Sequence, residues 1–134
     1  MLRAVLRGIA AVGVCAALLV GSLMTWAGSG ASAQDFYRGK SINIIVGFSP
    51  GGGYDLWARA LARHLPKHLS GNPAIVVQNM TGAGGLTMAN WFGQIAARDG
   101  TVIGVPANTM PAFQLVGGAG ARFDAGKFAW IGSL

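Results

Sequence analysis

Residues 41–65 read SINIIVGFSPGGGYDLWARALARHL, and this stretch decides the fold class. Its first part, residues 41–48, is a short apolar run with β-branched residues, which predicts a buried strand. Its last part, residues 54–65, carries apolar residues at helical spacing, which predicts a helix. A loop with a serine, a proline and three glycines joins the two. The stretch therefore predicts the first βα unit of an α/β fold.

The same order recurs towards the C-terminus. A second buried strand is predicted at residues 74–78 and a third strand at residues 101–105, with helices at residues 86–97 and 108–116. A second glycine-rich loop, MTGAGG at residues 80–85, leads into the second helix. FAWIGSL, at residues 128–134, predicts a fourth strand. Strands that alternate with helices predict a mostly parallel sheet with helices on both faces.

Helical spacing also predicts which residues are buried. The first helix should bury one stripe, formed by Trp57, Ala60, Leu61, His64 and Leu65, and Pro66 should end or kink it. Its basic residues, Arg59, Arg63 and Lys67, should form a solvated face. The second helix should bury Met88, Trp91, Phe92 and Ile95. We interpret Trp57, Trp91 and Phe92 as core residues rather than as a platform for stacking bases.

The N-terminus has the layout of a secretory signal. Arg3 and Arg7 precede an apolar run, and small residues that end in Ala31-Ser32-Ala33 follow it. This pattern predicts a signal peptide over residues 1–33, with cleavage after Ala33. An uncleaved membrane anchor is the alternative, since the apolar run approaches the ~18–20 residues that a membrane span needs.

Composition excludes several functions for the remaining residues 34–134. Cleavage would remove Cys15, the one cysteine, and with it any disulfide or thiolate chemistry. Eight basic residues and four aspartates would remain, a net charge of about +4 without the basic run expected of a nucleic-acid-binding protein. His64 and His68 are four residues apart, but Pro66 lies between them and the chain has no glutamate. We expect no metal, no cofactor and no nucleic acid.

Three functions compete for the first glycine-rich loop, and the first is a nucleophile. Residues 47–51, GFSPG, match the G-x-S-x-G motif between a strand and a helix. However, the residue after Ser49 should donate its backbone N–H to an oxyanion, and Pro50 has none. Both histidines also lie in the adjoining helical region. These two features count against an exported serine hydrolase that uses Ser49, which we keep as an alternative hypothesis.

The other two functions are anion binding of different kinds. No complete phosphate-binding motif is present, because GKS at residues 39–41 precedes the strand instead of following it. A small carboxylate fits better, since glycines let the backbone approach a ligand and each loop leads into a helix N-terminus. Ligands of parallel sheets bind outside the carboxyl ends of the strands, which is where both loops are predicted to lie. The residues alone leave open whether these loops are a binding site or simply tight βα turns.

Three segments in order carry a family resemblance. FYRGKSINIIVGFSPGGGYDLWARALARHL (residues 36–65), NPAIVVQNMTGAGG (72–85) and DGTVIGV (99–105) resemble the substrate-binding proteins of tripartite tricarboxylate transporters, the Bug family of extracytoplasmic solute receptors. The resemblance implies a lobe of a type II periplasmic-binding-protein-like fold. It also implies a periplasmic, non-enzymatic receptor that binds a small carboxylate and delivers it to a transporter with one large and one small membrane subunit. Stable membrane insertion after signal cleavage is not expected.

The resemblance also implies the binding residues. The loops after the first two strands would hold a ligand carboxylate, and the loop after the third strand, with Ala107, would line the same cleft. The implied ligand-binding residues are Ser49, Pro50, Gly51, Gly52, Gly53, Tyr54, Asp55, Thr81, Gly82, Ala83, Gly84, Gly85, Asn108 and Thr109.

Length is the main departure from the family. Its members are roughly two to three times longer and have a second lobe. Residues 34–134 are therefore interpreted as the N-terminal lobe of a truncated solute-binding protein, with the second lobe missing. A non-functional truncated remnant is a further alternative.

Overall fold

The computed structural model describes residues 36–133 of the chain. The predicted signal, Met1–Ala33, lies outside these residues and stays a prediction. So does the predicted division of the chain into a signal and a lobe over residues 34–134.

A three-stranded parallel sheet forms the centre of the described region. Its strands are β1 (Ser41–Val46), β2 (Ala74–Asn79) and β3 (Val102–Val105), in the order β2-β1-β3. Ile44 in β1 lies between Val77 of β2 and Ile103 of β3. Because all three strands are parallel, the loops that follow them leave from the same edge of the sheet.

Three α-helices connect or follow the strands. They are α1 (Gly53–His64), α2 (Leu86–Gln94) and α3 (Met110–Leu115). As predicted, the α1 helix ends before Pro66, which lies in a short 3-10 helix, Leu65–His68. The ring of a proline cannot continue an α-helix because it removes an N–H donor and clashes with the preceding turn.

Helix α1 covers one face of the sheet. Ala58 packs against Ile44 and Val46, and apolar residues of both outer strands complete this cluster. Ala58 is small enough to bring the helix close to the central strand. Alternate residues of β1 point to this face, as the pleat of a strand requires.

Helix α2 covers the opposite face. A Cβ atom at Gly104 in β3 would lie 2.9 Å from the Phe92 ring, so the glycine admits the ring against the strand backbone. Ala89 packs in a second cluster with Met110 of α3 and Phe123. The α/β class, with a mostly parallel sheet and helices on both faces, is therefore confirmed.

The predicted buried stripe of α1 is wrong by about one position. Trp57 is 60% exposed and His64 is also exposed, while Asp55 and Ala58 are the fully buried residues of this helix. Leu61 was placed correctly and packs towards the sheet. The hydrophobic pattern predicted the wrong buried face because a small alanine and a carboxylate, and not the large apolar residues, occupy the inner face of the helix.

Other predictions also differ from the structure. Strand β2 lies at an edge of the sheet and is half-buried in an alternating pattern, not buried throughout. Helix α2 ends at Gln94, which leaves Ile95 70% exposed. Residues 128–133 form no strand and pair with none of the three strands of the sheet; in this segment the Trp130 indole N–H donates to the Ala125 carbonyl at 2.9 Å. Instead, a 3-10 helix occupies Ala125–Lys127.

Among residues 36–133, no helix has the length and apolar character needed to cross a membrane.

The burial of α1 can be tested with two neighbouring substitutions. We expect Trp57→Ala to lower the free energy of unfolding by less than ~1 kcal/mol, because most of this side chain is in solvent. Ala58→Leu should lower it by ~1–3 kcal/mol, because the added atoms overpack the contact with β1. Urea denaturation measures both values. A larger loss for Trp57→Ala than for Ala58→Leu would support the buried stripe predicted from the sequence.

Candidate functional site

Three loops meet at the carboxyl edge of the sheet. Loop 1 (residues 47–52) follows β1, loop 2 (residues 80–85) follows β2, and loop 3 (residues 106–109) follows β3. All the predicted ligand-binding residues lie on these loops or in the first turn of α1. The structure thus brings together segments that are far apart in the sequence.

Aromatic contacts join the three loops. The Phe48 ring of loop 1 stacks on Tyr54, with centroids 4.5 Å apart and an interplanar angle of 10°. The Asn108 N–H of loop 3 donates to the Tyr54 hydroxyl at 3.4 Å. On loop 2, a Cβ atom at Gly85 would lie 3.6 Å from Phe48. Phe48 and Tyr54 therefore connect loop 1 to both of the other loops.

Asp55, in the first turn of α1, is the central polar group of this edge. Its side chain is buried, with 1% of the residue exposed. One carboxylate oxygen accepts from the Gly51 N–H (2.8 Å) and from Arg59 Nε (2.9 Å), and the other accepts from Asn79 Nδ2 (2.9 Å). Asp55 therefore fixes loop 1 onto its own helix and onto the end of β2.

Asn79 completes the connection between loop 1 and β2. Its amide group donates to the Phe48 carbonyl at 2.9 Å as well as to Asp55, and its oxygen accepts from Arg59 Nη2 at 3.3 Å. An amide can donate and accept at once, so one side chain satisfies three groups. Sequence reasoning missed Asn79, although a polar residue at the end of an apolar strand was the available signal.

These hydrogen bonds hold Asp55 in its charged form. Hydrogen bonding from Arg59 lowers the pKa of the Asp55 carboxyl far below its usual range, and the Gly51 and Asn79 donors lower it further. The same contact raises the pKa of Arg59. Hydrogen bonds to a carboxylate favour its ionised form, which explains the direction of the Asp55 shift.

Loop 2 has an unusual backbone. Four successive residues, Gly82, Ala83, Gly84 and Gly85, have positive φ values of 138°, 48°, 64° and 94°. The Gly85 N–H donates to the Gly82 carbonyl at 3.0 Å, which closes a tight turn of the type that needs positive φ at both central residues. Ala83 adopts this conformation despite its Cβ atom, and such strain concentrates at functional sites.

Several backbone donors at this edge have no partner within residues 36–133. In the first turn of α1 they are the N–H groups of Gly53 and Tyr54, and in loop 2 those of Ala83 and Gly84. The first N–H groups of a helix cannot bond within the helix, and the helix dipole favours an anion beside them. These donors are suited to a carboxylate or another small anion.

The remaining predicted residues lie on the same three loops. Ser49 and Pro50 are exposed, and the Ser49 carbonyl accepts from the Gly52 N–H at 3.4 Å. Thr81, Asn108 and Thr109 are exposed on the second and third loops. The ligand contacts of all these residues stay predictions.

Two observations concern chemistry other than binding at this edge. Within residues 36–133, no group of three His, Cys, Asp or Glu side chains is placed to hold a metal ion. His64 lies at the far end of α1, about 16 Å along the helix from its start after loop 1. A histidine in that position does not serve Ser49 as a base.

The architecture and its loop edge define a periplasmic-binding-protein-like α/β lobe. In a comparison with curated proteins, the chain is similar to Protein BugT of Bordetella pertussis, with 38% identity over 94 residues. The match covers 69% of this chain and 28% of BugT, so the chain spans well under half the length of this relative. A scan against protein families gave no match. The similarity to BugT confirms the predicted resemblance to the Bug family.

The pH dependence of folding tests the role of Asp55. A carboxyl whose pKa is lower in the folded state contributes stability above its unfolded pKa of about 3.9, and loses it as the pH falls towards the folded value. We expect Asp55→Asn to be less stable than the wild type at pH 7. The difference should shrink steadily below about pH 5.

Urea midpoints of both proteins at pH 7 and pH 3 make this measurement. Asp99 also has a lowered pKa, because of its hydrogen bonds to Thr101, but it is present in both proteins and its effect cancels. A difference that stays constant with pH would show that Asp55 acts through its shape and not its charge.

Asn79 and its neighbour Gln78 form a matched pair of test positions. Asn79→Ala removes two donated hydrogen bonds and leaves the Phe48 carbonyl and an Asp55 oxygen without them, so we expect a loss of ~1–3 kcal/mol in the free energy of unfolding. Gln78→Ala, at an exposed position, should change it by less than ~0.5 kcal/mol. Equal losses in urea denaturation would contradict the role given to Asn79.

Proposed function

We propose that this chain is a ligand-binding lobe of an exported, periplasmic solute-binding protein. It captures a small carboxylate and delivers it to a tripartite tricarboxylate-type transporter, whose membrane subunits, one large and one small, are its partners. The observation that carries the proposal is the meeting of loops 1 and 2 at the carboxyl edge of a parallel sheet, with unpartnered backbone donors in the first turn of α1, directly after loop 1, and in loop 2. The similarity to BugT supports the same conclusion.

The electrostatics of the site favour an anionic ligand. Gly53 and Tyr54 offer their N–H groups at the positive end of the α1 dipole, and Ala83 and Gly84 offer theirs from loop 2. Asp55 would repel an anion if it were free. However, its charge is buried and paired with Arg59, so the pair adds no net negative charge to the site.

This donor set supports a carboxylate as the ligand. Backbone N–H groups cannot be deprotonated, and they offer fixed directions to the oxygens of a carboxylate. Tyr54 presents a hydroxyl that already accepts from Asn108, so it can still donate to a ligand. We infer that the loops hold one carboxylate of the solute, while Tyr54 lies where it can contact the rest of the solute.

The structure gives no specific support to the alternative, a hydrolase that uses Ser49. Pro50 has no N–H to donate to an oxyanion at the position that the motif requires. Our proposal therefore remains a receptor that performs no chemistry and needs no cofactor.

Gly52→Val tests the site without disturbing the fold. Gly52 has extended backbone angles, φ −76° and ψ 169°, and an added Cβ atom would meet only the Ser49 carbonyl, at 3.4 Å. The larger side chain should obstruct loop 1 and weaken binding of a carboxylate by about tenfold or more. Titration of the isotope-labelled chain with citrate, succinate, glutamate and benzoate, followed by NMR, measures affinity and identifies the residues involved.

At least one of these probes should shift the amide signals of Gly53, Tyr54, Ala83 and Gly84 in a saturable way. Gly132→Val is the matched control, because a Cβ atom there meets nothing within 4 Å and the residue lies outside the three loops. Equal affinity in Gly52→Val and wild type, or shifts that cluster away from loops 1 and 2, would overturn the site. Labelling of Ser49 by a fluorophosphonate probe would support the hydrolase instead.

A further inference from the structure

Strand β2 leaves one side of the sheet open. Within residues 36–133 it pairs with β1 alone, and no strand covers its other side. The strand, AIVVQN, contains neither a charged residue nor a proline, which are the residues that usually protect an exposed edge. An edge of this kind is a template for pairing with another extended chain.

The direction of the free backbone groups follows from one hydrogen bond. The Met80 N–H donates to the Val46 carbonyl at 2.8 Å, so the backbone groups of Met80 point towards β1. Backbone groups alternate in direction along a strand, so the backbone groups of Val76 and Gln78 also point towards β1. Those of Ile75 and Val77 therefore point outwards and are available to a further strand.

A groove runs beside this open edge, between β2 and α1. It has a volume of about 270 Å³ and is lined by Arg59, Ala62, Arg63, Ile75 and Val77. Its floor is apolar and its charged residues are two arginines. The groove lies on the face towards which the Ile75 and Val77 side chains point, so a strand added to β2 would send alternate side chains into it.

The charge of the groove selects its occupant. Within residues 36–133, the three aspartates are Asp55, Asp99 and Asp124, and none of them pairs with Arg63. Arg59 contacts Asp55, but its side chain is 44% exposed and a guanidinium has further donors. The groove therefore presents two arginines to a ligand that must supply negative charge.

The spacing of the arginines fits an extended chain. Arg59 and Arg63 are one helical turn apart, about 6 Å along the axis. Alternate side chains of a strand are about 6.6 Å apart and point to the same side. Two acidic residues separated by one position would therefore reach the two arginines together. The aliphatic stems of glutamates would cover the apolar floor.

We propose that the outer edge of β2 and this groove form a docking site for an extended acidic segment of a partner protein. The segment adds a strand to the sheet through the backbone of Ile75 and Val77, and its acidic side chains contact Arg59 and Arg63. A second copy of this chain fits poorly, because edge-to-edge pairing would bring the arginines of both copies together. The proposal goes beyond the receptor function and does not depend on it.

The test uses the full chain and a fluorescein-labelled peptide, Thr-Glu-Val-Glu-Val-Thr, which alternates acidic and β-branched residues. The peptide should bind saturably in fluorescence anisotropy, and the same peptide with lysine in place of glutamate should not. Arg63→Glu should weaken binding by about tenfold or more. Arg122→Glu is the matched control, an exposed arginine beside α2 on the other face of the sheet, and should change binding by less than about twofold.

Hydrogen exchange locates the contact on the strand. Bound peptide should slow exchange of the Ile75 and Val77 amides, because these groups gain hydrogen bonds. Unchanged exchange there, equal binding of the lysine peptide, or equal effects of the two arginine variants would each overturn the proposal. Protection of Ile75 and Val77 in the free chain that disappears on dilution would overturn it in favour of self-association.

Discussion

The Asp55 carboxylate is the group on which the rest of the candidate site depends. It is buried, it accepts from Gly51, Arg59 and Asn79, and all of its contacts lie at the edge where the loops leave the sheet. Burying a carboxylate is unfavourable unless its hydrogen bonds are satisfied. Because both oxygens of Asp55 have partners, the same group that is costly to bury fixes loop 1 in one conformation.

This arrangement explains how a backbone-built site can be rigid. Glycine-rich loops lose much conformational entropy on folding, and a loop that binds with its N–H groups must already hold them in place. Loop 1 is fixed by Asp55 and Asn79, and loop 2 is closed by its own turn at Gly82 and by contact with Phe48. The unpartnered donors are thus on segments that do not need to reorganise around a ligand.

Arg59 belongs to two regions of the molecule. It donates to Asp55 and Asn79 in the polar network, and it lines the groove beside the open edge of β2. Arg63, one turn further along α1, lines the groove but takes no part in the polar network. The two arginines therefore differ in what they can reveal: changing Arg59 disturbs the loops and the groove together, whereas changing Arg63 affects the groove and leaves the network of Asp55 intact.

The sequence by itself determined the alternation of β1 to β3 with α1 to α3, the end of α1 before Pro66 and the position of both glycine-rich loops, because these follow from local pattern and backbone chemistry. Tertiary structure decided which side of α1 is buried, since contact with β1 favoured Ala58 and the Asp55 network over Trp57. It also decided the role of Asn79, whose partners Phe48 and Asp55 are distant in the sequence, and it left residues 128–133 outside the sheet. Burial and long-range hydrogen bonds depend on residues that meet only after folding, and no local pattern contains them.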